Sequence, residues 1–262
     1  MYFIDFHCHV YPDAIAPKAA DSIRKFYRLG DDYMDGRVQT LLNYGTKAGV
    51  DKFVILPVSL RPTNTRHINE FIIEQVAKEP RFFGYGTIHA GMQNLCEEVE
   101  YIMNHGLLGL KMHSDCQVFP IDDPRLYPVY DMAQDKLPIL FHMGDQRYDY
   151  SHPARLRKVL DLFPKLQVIA AHFGGYTMYD IAAEELKDKD CFFDVSSSLM
   201  FMEEGVAERY INRHGAERFV YGSDYTMWNP VVEMERFQQL KLTDAQKEQI
   251  AHITAEGILS IK

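Results

Sequence analysis

Two histidines one residue apart, His7 and His9, close the apolar run that opens the chain. In an extended strand residues i and i+2 share a face, so both imidazoles point to one place, where a single cation can take a nitrogen from each. Alone the pair is a weak signal, since polar residues also finish ordinary strands. Three further metal-compatible groups end later runs of the same kind: His142 after Pro138-Ile139-Leu140-Phe141, His172 after Gln167-Val168-Ile169-Ala170-Ala171, and Asp224 within Tyr221-Gly222-Ser223-Asp224. Neutral imidazoles and a carboxylate leave a divalent ion with net positive charge. Such an ion lowers the pKa of its water to around 7 and polarises a carbonyl oxygen.

Residues so far apart meet only if the elements that carry them converge. Eight β-rich runs recur, over residues 3–9, 53–59, 82–89, 107–113, 138–143, 167–172, 192–196 and 219–224. After the first they start about 25 to 30 residues apart, the length of a strand, a helix and two short loops. Several, such as Phe53-Val54-Ile55-Leu56, have no polar face, as parallel strands covered on both sides require. Helical patterns fill the gaps near 69–76, 94–104, 128–134, 153–163, 179–187 and 231–240, and the long first crossover, 11–50, has room for an extra helix at 15–27. The pattern predicts a (β/α)8 TIM barrel in the α/β class, one domain over residues 1–262, with its chemistry at the C-terminal strand ends. An open doubly wound sheet is the alternative, but its Gly-x-Gly-x-x-Gly turn is absent.

The chain's 262 residues are 47% hydrophobic, enough for a large core, and its formal charge of −9 leaves no basic stripe for nucleic acid. A small-molecule substrate is the expected partner. The opening residues lack a basic leader, and no apolar stretch approaches the roughly 20 residues of a membrane span. The four cysteines, Cys8, Cys96, Cys116 and Cys191, form no Cys-x-x-Cys pair, so the expectation is a cytoplasmic protein without membrane attachment. Cys8, between the two histidines, is expected to turn away from them as a small buried residue.

The segments Asp5-Phe6-His7-Cys8-His9, Ala48-Gly49-Val50-Asp51-Lys52, Gly109-Leu110-Lys111-Met112-His113, Leu137-Pro138-Ile139-Leu140-Phe141-His142, Ala171-His172-Phe173-Gly174-Gly175 and Tyr221-Gly222-Ser223-Asp224-Tyr225 together resemble the amidohydrolase superfamily over nearly the whole chain. The likeness is to the branch that includes aminocarboxymuconate semialdehyde decarboxylase and related hydrolases. The resemblance implies one metal on His7, His9, His142 and Asp224, with His172 beside it as general acid/base; His172 and Asp224 are the catalytic candidates. It also implies that homodimers are common. Zinc suits these ligands; manganese, iron and cobalt are compatible. Binuclear relatives in the superfamily carry a carboxylated lysine where this chain has Lys111, so Lys111, and His113 on the same face, are candidates for the pocket or a second metal. Two departures stand out: Thr226 where proline is usual, and Thr254-Ala255-Glu256-Gly257-Ile258 where the family often has Asn-Ala-x-Arg-Leu.

Asp5 and Asp194 are candidates for orienting ligand imidazoles, with a local structural role as the simpler reading. Arg61, Arg66 and Arg147 are candidate clamps for a substrate carboxylate, although most loop arginines are only solvated. Tyr148, Tyr225 and Trp228 either wall the ligand or pack under loops. The leading expectation is a metal-dependent hydrolase of an amide, lactone or similar carbonyl bond, acting through metal-activated water. The alternative is a metal-dependent non-oxidative decarboxylase of a small unsaturated or aromatic acid. The short chain, without large insertions, favours hydrolysis.

Overall fold

The computed structural model describes residues 1–30 and 33–261. Contacts cluster in two compact units, Met1–Leu56 with Val195–Lys262, and Pro57–Asp194.

In the first unit, β1 (Ile4–Cys8) runs parallel to β2 (Lys52–Ile55). The register passes from Ile4 opposite Lys52 and Asp5 opposite Phe53 to Cys8 opposite Ile55, so β1 spends three residues where β2 spends two. That is a bulge, and it lies just where the strand must aim His7. On its other side β1 meets the chain that continues from β9 (Phe219–Val220): the Phe6 N–H donates to the Tyr221 carbonyl at 2.8 Å, and Cys8 bridges Tyr225 in parallel. The first and last strands are thus neighbours. The long first crossover holds two helices, Ala16–Tyr27 and Val38–Ala48. The second ends on Gly49 at φ 78°, a left-handed stop suited to glycine.

In the second unit β3 (Phe82–Gly84) is followed by a parallel sheet in the order β4 (Gly86–Thr87), β5 (Leu110–Met112), β6 (Ile139–Phe141), β7 (Val168–Ala170) and β8 (Phe192–Asp194). Met112, Phe141 and Ala170 form one row of the register. Their side chains, with Ile139, Leu140, Val168 and Ile169, are fully buried, as strands covered on both faces must be. Connecting helices include Thr65–Lys78, Leu95–Asn104, Tyr127–Ala133, Pro153–Leu162 and Tyr179–Glu185.

Each run read from the sequence overlaps a strand, but the third, 82–89, is broken at Tyr85. Beyond the break the Asn69 side chain takes both backbone groups of Thr87, accepting from its N–H at 2.8 Å and donating to its carbonyl at 3.0 Å. A helix side chain has replaced the strand neighbour there. Among the described residues no helix is long and apolar enough to cross a membrane.

Candidate metal centre

His7 leaves β1 with its backbone N–H donated to Asp5 Oδ1 at 3.2 Å, and the same oxygen accepts the Ser223 N–H at 2.9 Å. Asp5 therefore ties the first strand to the segment before Asp224. This is the local structural role; burial pushes its carboxyl up to about 6, and the Ser223 and His7 hydrogen bonds oppose that rise. The tie brings three ligand atoms together. His7 Nε2 and His9 Nε2 are 3.2 Å apart, and Asp224 Oδ1 lies 3.5 and 3.7 Å from them. Four-coordinate zinc with bonds near 2.1 Å separates its ligands by about 3.4 Å, so this trio already has the spacing a metal requires. His9 Nδ1 is 2.6 Å from the Leu56 carbonyl, which can only accept, so that nitrogen carries the proton and Nε2 presents its lone pair. The donor set therefore fits a divalent cation.

Asp224 sits in the left-handed region, φ 54°, unusual for a residue with a side chain. Its Oδ2 accepts from the Ser197 hydroxyl at 2.5 Å, and Ser197 Oγ in turn accepts from Trp228 Nε1 at 2.8 Å. Trp228, read from the sequence as either a wall of the ligand site or a residue packed under loops, donates its indole N–H to Ser197. Cys8 is fully buried, and burial drives its thiol well above the usual range, as a packing residue requires. Tyr225 is also fully buried and donates its hydroxyl to the Arg37 carbonyl at 2.8 Å, so it packs under the first crossover. Thr226 explains the first departure from the family pattern: its hydroxyl donates to the His9 carbonyl at 3.0 Å, a bond proline cannot make. The second departure lies in the helix Thr254–Leu259, directly after a π-helical turn, Gln249–Ile253, whose Ile250 carbonyl accepts the Tyr221 N–H at 2.8 Å.

A second cluster forms in the other unit. His113 and His142 follow the register row Met112–Phe141, and their rings stack at 3.8 Å with an interplanar angle of 11°. His142 Nδ1 is 3.0 Å from His172 Nε2, so one of these nitrogens donates to the other. His172 is left-handed, φ 59°; its backbone N–H donates to Asp194 Oδ1 at 2.9 Å, and that oxygen is 3.8 Å from His172 Nδ1. Asp194 thus holds the backbone and stands beside the ring. Asp115, which the sequence reading missed, lies 3.7 Å from His142 Nε2 and accepts from the Ser151 hydroxyl at 2.5 Å. Burial pushes its carboxyl up to about 6, against the hydrogen bond from Ser151. His113, Asp115 and His142 offer ligand atoms within 4.8 Å of one another. Stacked rings aim their in-plane lone pairs in parallel, however, a poor geometry for sharing one ion. Lys111 is fully buried in β5.

Two arginine candidates are engaged elsewhere. Arg66 pairs with the buried Glu98 at 2.9 Å and stacks on Tyr101 at 3.5 Å, while Arg147 grips the buried Asp145 with two nitrogens at 2.9 and 2.5 Å and lies 5.3 Å from the centre of the Tyr148 ring. Arg61 is exposed. Asp115, Ser151 and Ser197 gave little sign of themselves in the sequence; the Ser196-Ser197-Ser198 run that starts at the end of the seventh β-rich run was the cue for Ser197.

A model of the amidohydrolase family matches residues 4–261. No curated protein matches. Among solved structures, an uncharacterised TIM-barrel protein from Bordetella bronchiseptica superposes with a TM-score of 0.84 at 20% identity, covering 99% of both chains. The 5-carboxyvanillate decarboxylase from Sphingomonas paucimobilis gives 0.75 at 16% identity, over 100% of this chain and 99% of its own. A dihydroxybenzoic acid decarboxylase from Polaromonas sp. JS666, with bound manganese and the inhibitor 2-nitroresorcinol, gives 0.77 at 15% identity, over 99% and 97%. At these identities the likeness establishes the fold, a (β/α)8 TIM barrel.

Proposed function

Because the chain belongs to the amidohydrolase family along residues 4–261, we propose that it is a metal-dependent non-oxidative decarboxylase of a small hydroxylated aromatic acid. The observation that carries this choice over hydrolysis is the whole-length likeness to two decarboxylases of aromatic acids. Since those matches span 99% and 97% of the decarboxylase chains, the argument from a short chain loses its force.

The proposed ligands are His7, His9 and Asp224, with His142 as the further ligand that the family resemblance assigns. A divalent ion on them supplies positive charge for the oxygens of an acidic substrate and for the negative charge that develops as its carboxyl group leaves. His9 keeps its Nε2 lone pair directed because Leu56 holds the proton on Nδ1. His172 is the proposed proton donor. As the ring-to-carboxyl bond breaks and carbon dioxide departs, the electron pair left on the ring carbon takes a proton from the His172 imidazolium, whose Nδ1 lies 3.8 Å from Asp194 Oδ1. Asp115 and Ser151 hold the approach to His142. Manganese, present in the Polaromonas enzyme, is the first ion to try, ahead of the zinc expected from ligand type alone. One equivalent per chain is expected, without carboxylation of Lys111. The four free cysteines accord with a cytoplasmic setting.

The test is to offer manganese-loaded and chelator-treated protein a panel of hydroxybenzoates beside a panel of lactones and amides. Metal-dependent carbon dioxide release from a hydroxybenzoate is expected. Turnover of a lactone or amide with no release from any acid returns the assignment to hydrolysis.

A further inference from the structure

Ser196 and Ser197 are adjacent and fully buried, yet both reach residues of the His7–His9–Asp224 trio. Ser196 Oγ lies 3.5 Å from His7 Nδ1, and the Ser197 hydroxyl donates to Asp224 Oδ2 at 2.5 Å. Along an extended segment neighbouring side chains face opposite ways. Here the backbone turns left-handed at Ser197, φ 59°, a conformation that costs energy for any residue with a side chain and persists only when its surroundings impose it. The direction of the hydroxyl is also determined. An indole N–H can only donate, so Trp228 Nε1, 2.8 Å away, occupies a lone pair on Ser197 Oγ and leaves the single serine proton for Asp224.

From this we infer that Ser197, anchored by Trp228, is a positioning residue that turns the Asp224 carboxylate so that Oδ1 alone faces the two imidazoles, setting the affinity for the metal. The inference rests on the metal reading of the site and adds to it the cause of the ligand's orientation. With Oδ2 held, the carboxylate neither rotates away nor closes on the ion with both oxygens. Gly222 keeps the arrangement compact: a Cβ there would stand 2.9 Å from His7 Cβ and 3.4 Å from Ser196 Cβ.

The experiment measures manganese binding to the metal-free full chain by the loss of the free-ion electron paramagnetic resonance signal, with melting of the metal-free proteins followed in parallel. Ser197→Gly removes the hydroxyl and accepts the left-handed backbone without strain. It is expected to raise the manganese dissociation constant by about 10- to 100-fold, the usual effect of losing such an outer support. Trp228→Phe keeps the serine and a ring but loses the anchoring N–H; a smaller weakening in the same direction is expected, and this variant carries the test if the glycine variant does not fold. Affinities of the folded variants within twofold of the unaltered protein overturn the inference, including when their metal-free melting temperatures fall, which would mark Ser197 as structural only. An unaltered protein that binds no manganese or zinc overturns the metal reading itself and, with it, the inference.

Discussion

His172 combines a left-handed backbone, a hydrogen bond from its N–H to Asp194 and a ring nitrogen 3.0 Å from His142. Asparagine tolerates the same backbone but supplies no proton of suitable pKa. His172→Asn should therefore keep its bound metal and change KM little, while kcat falls by about 10²- to 10⁴-fold, the usual worth of a general acid. Metal analysis and steady-state kinetics check this, and a kcat within tenfold of the original removes His172 from the mechanism. Such a residue was readable because a histidine ending an apolar run is rare enough to notice. Ser197 and Asp115 were not, because serine and aspartate have many ordinary uses near strand ends and only their distances to Asp224 and His142 single them out.

The elements are shorter than their apolar runs, and apart from His7, which lies in β1, the residues just beyond them carry the chemistry. His9, His113 and His142 each follow the last ordered residue of a strand, so small shifts in the loops move the site. Gly144, two residues past His142, has φ 74°, and a Cβ there would lie 2.1 Å from the backbone oxygen of Gly175. Gly144→Ala should destabilise the protein by at least ~2 kcal/mol through backbone displacement, measurable by urea unfolding. An effect below about 0.5 kcal/mol would show that the two loops separate easily. The helix Pro230–Gln239 carries a different cost. Burial pushes the Glu233 carboxyl up from 4.5 to about 7, Arg236 pulls it down, and the charges of Asp224 and Asp5 add to the rise. Because the folded value exceeds the unfolded one, the contribution of Glu233 to stability is complete below 4.5 and is lost as pH rises through about 7. The loss is on the order of 3 kcal/mol. Glu233→Gln should flatten the dependence of unfolding free energy on pH between about 5 and 8; an unchanged slope assigns it to other groups.

For the molecule as a whole, a metal that binds only the folded chain adds to its stability by mass action. Free metal at about a thousand times its dissociation constant contributes about 4 kcal/mol, so chelation should lower the melting temperature by several degrees and manganese should restore it. A melting temperature indifferent to both would leave His7, His9 and Asp224 as a hydrogen-bonded cluster. The family match over residues 4–261 extends through both compact units, as does the rhythm of strand and helix read from the sequence.

That rhythm, the parallel class of strand and the kinds of ligand available were decided by the sequence alone, because apolar runs, breakers and residue types are local properties. The division of the third run was not, since it depends on Asn69 reaching Thr87 from a helix. Nor was the service of Arg66 and Arg147 to buried carboxylates, or the clamp on Asp224. Where a lone pair points depends on a bulge, on single left-handed residues and on pairing between segments more than 200 positions apart, as with Asp5 and Ser223. Those are properties of the folded chain, and no local pattern of residues encodes them.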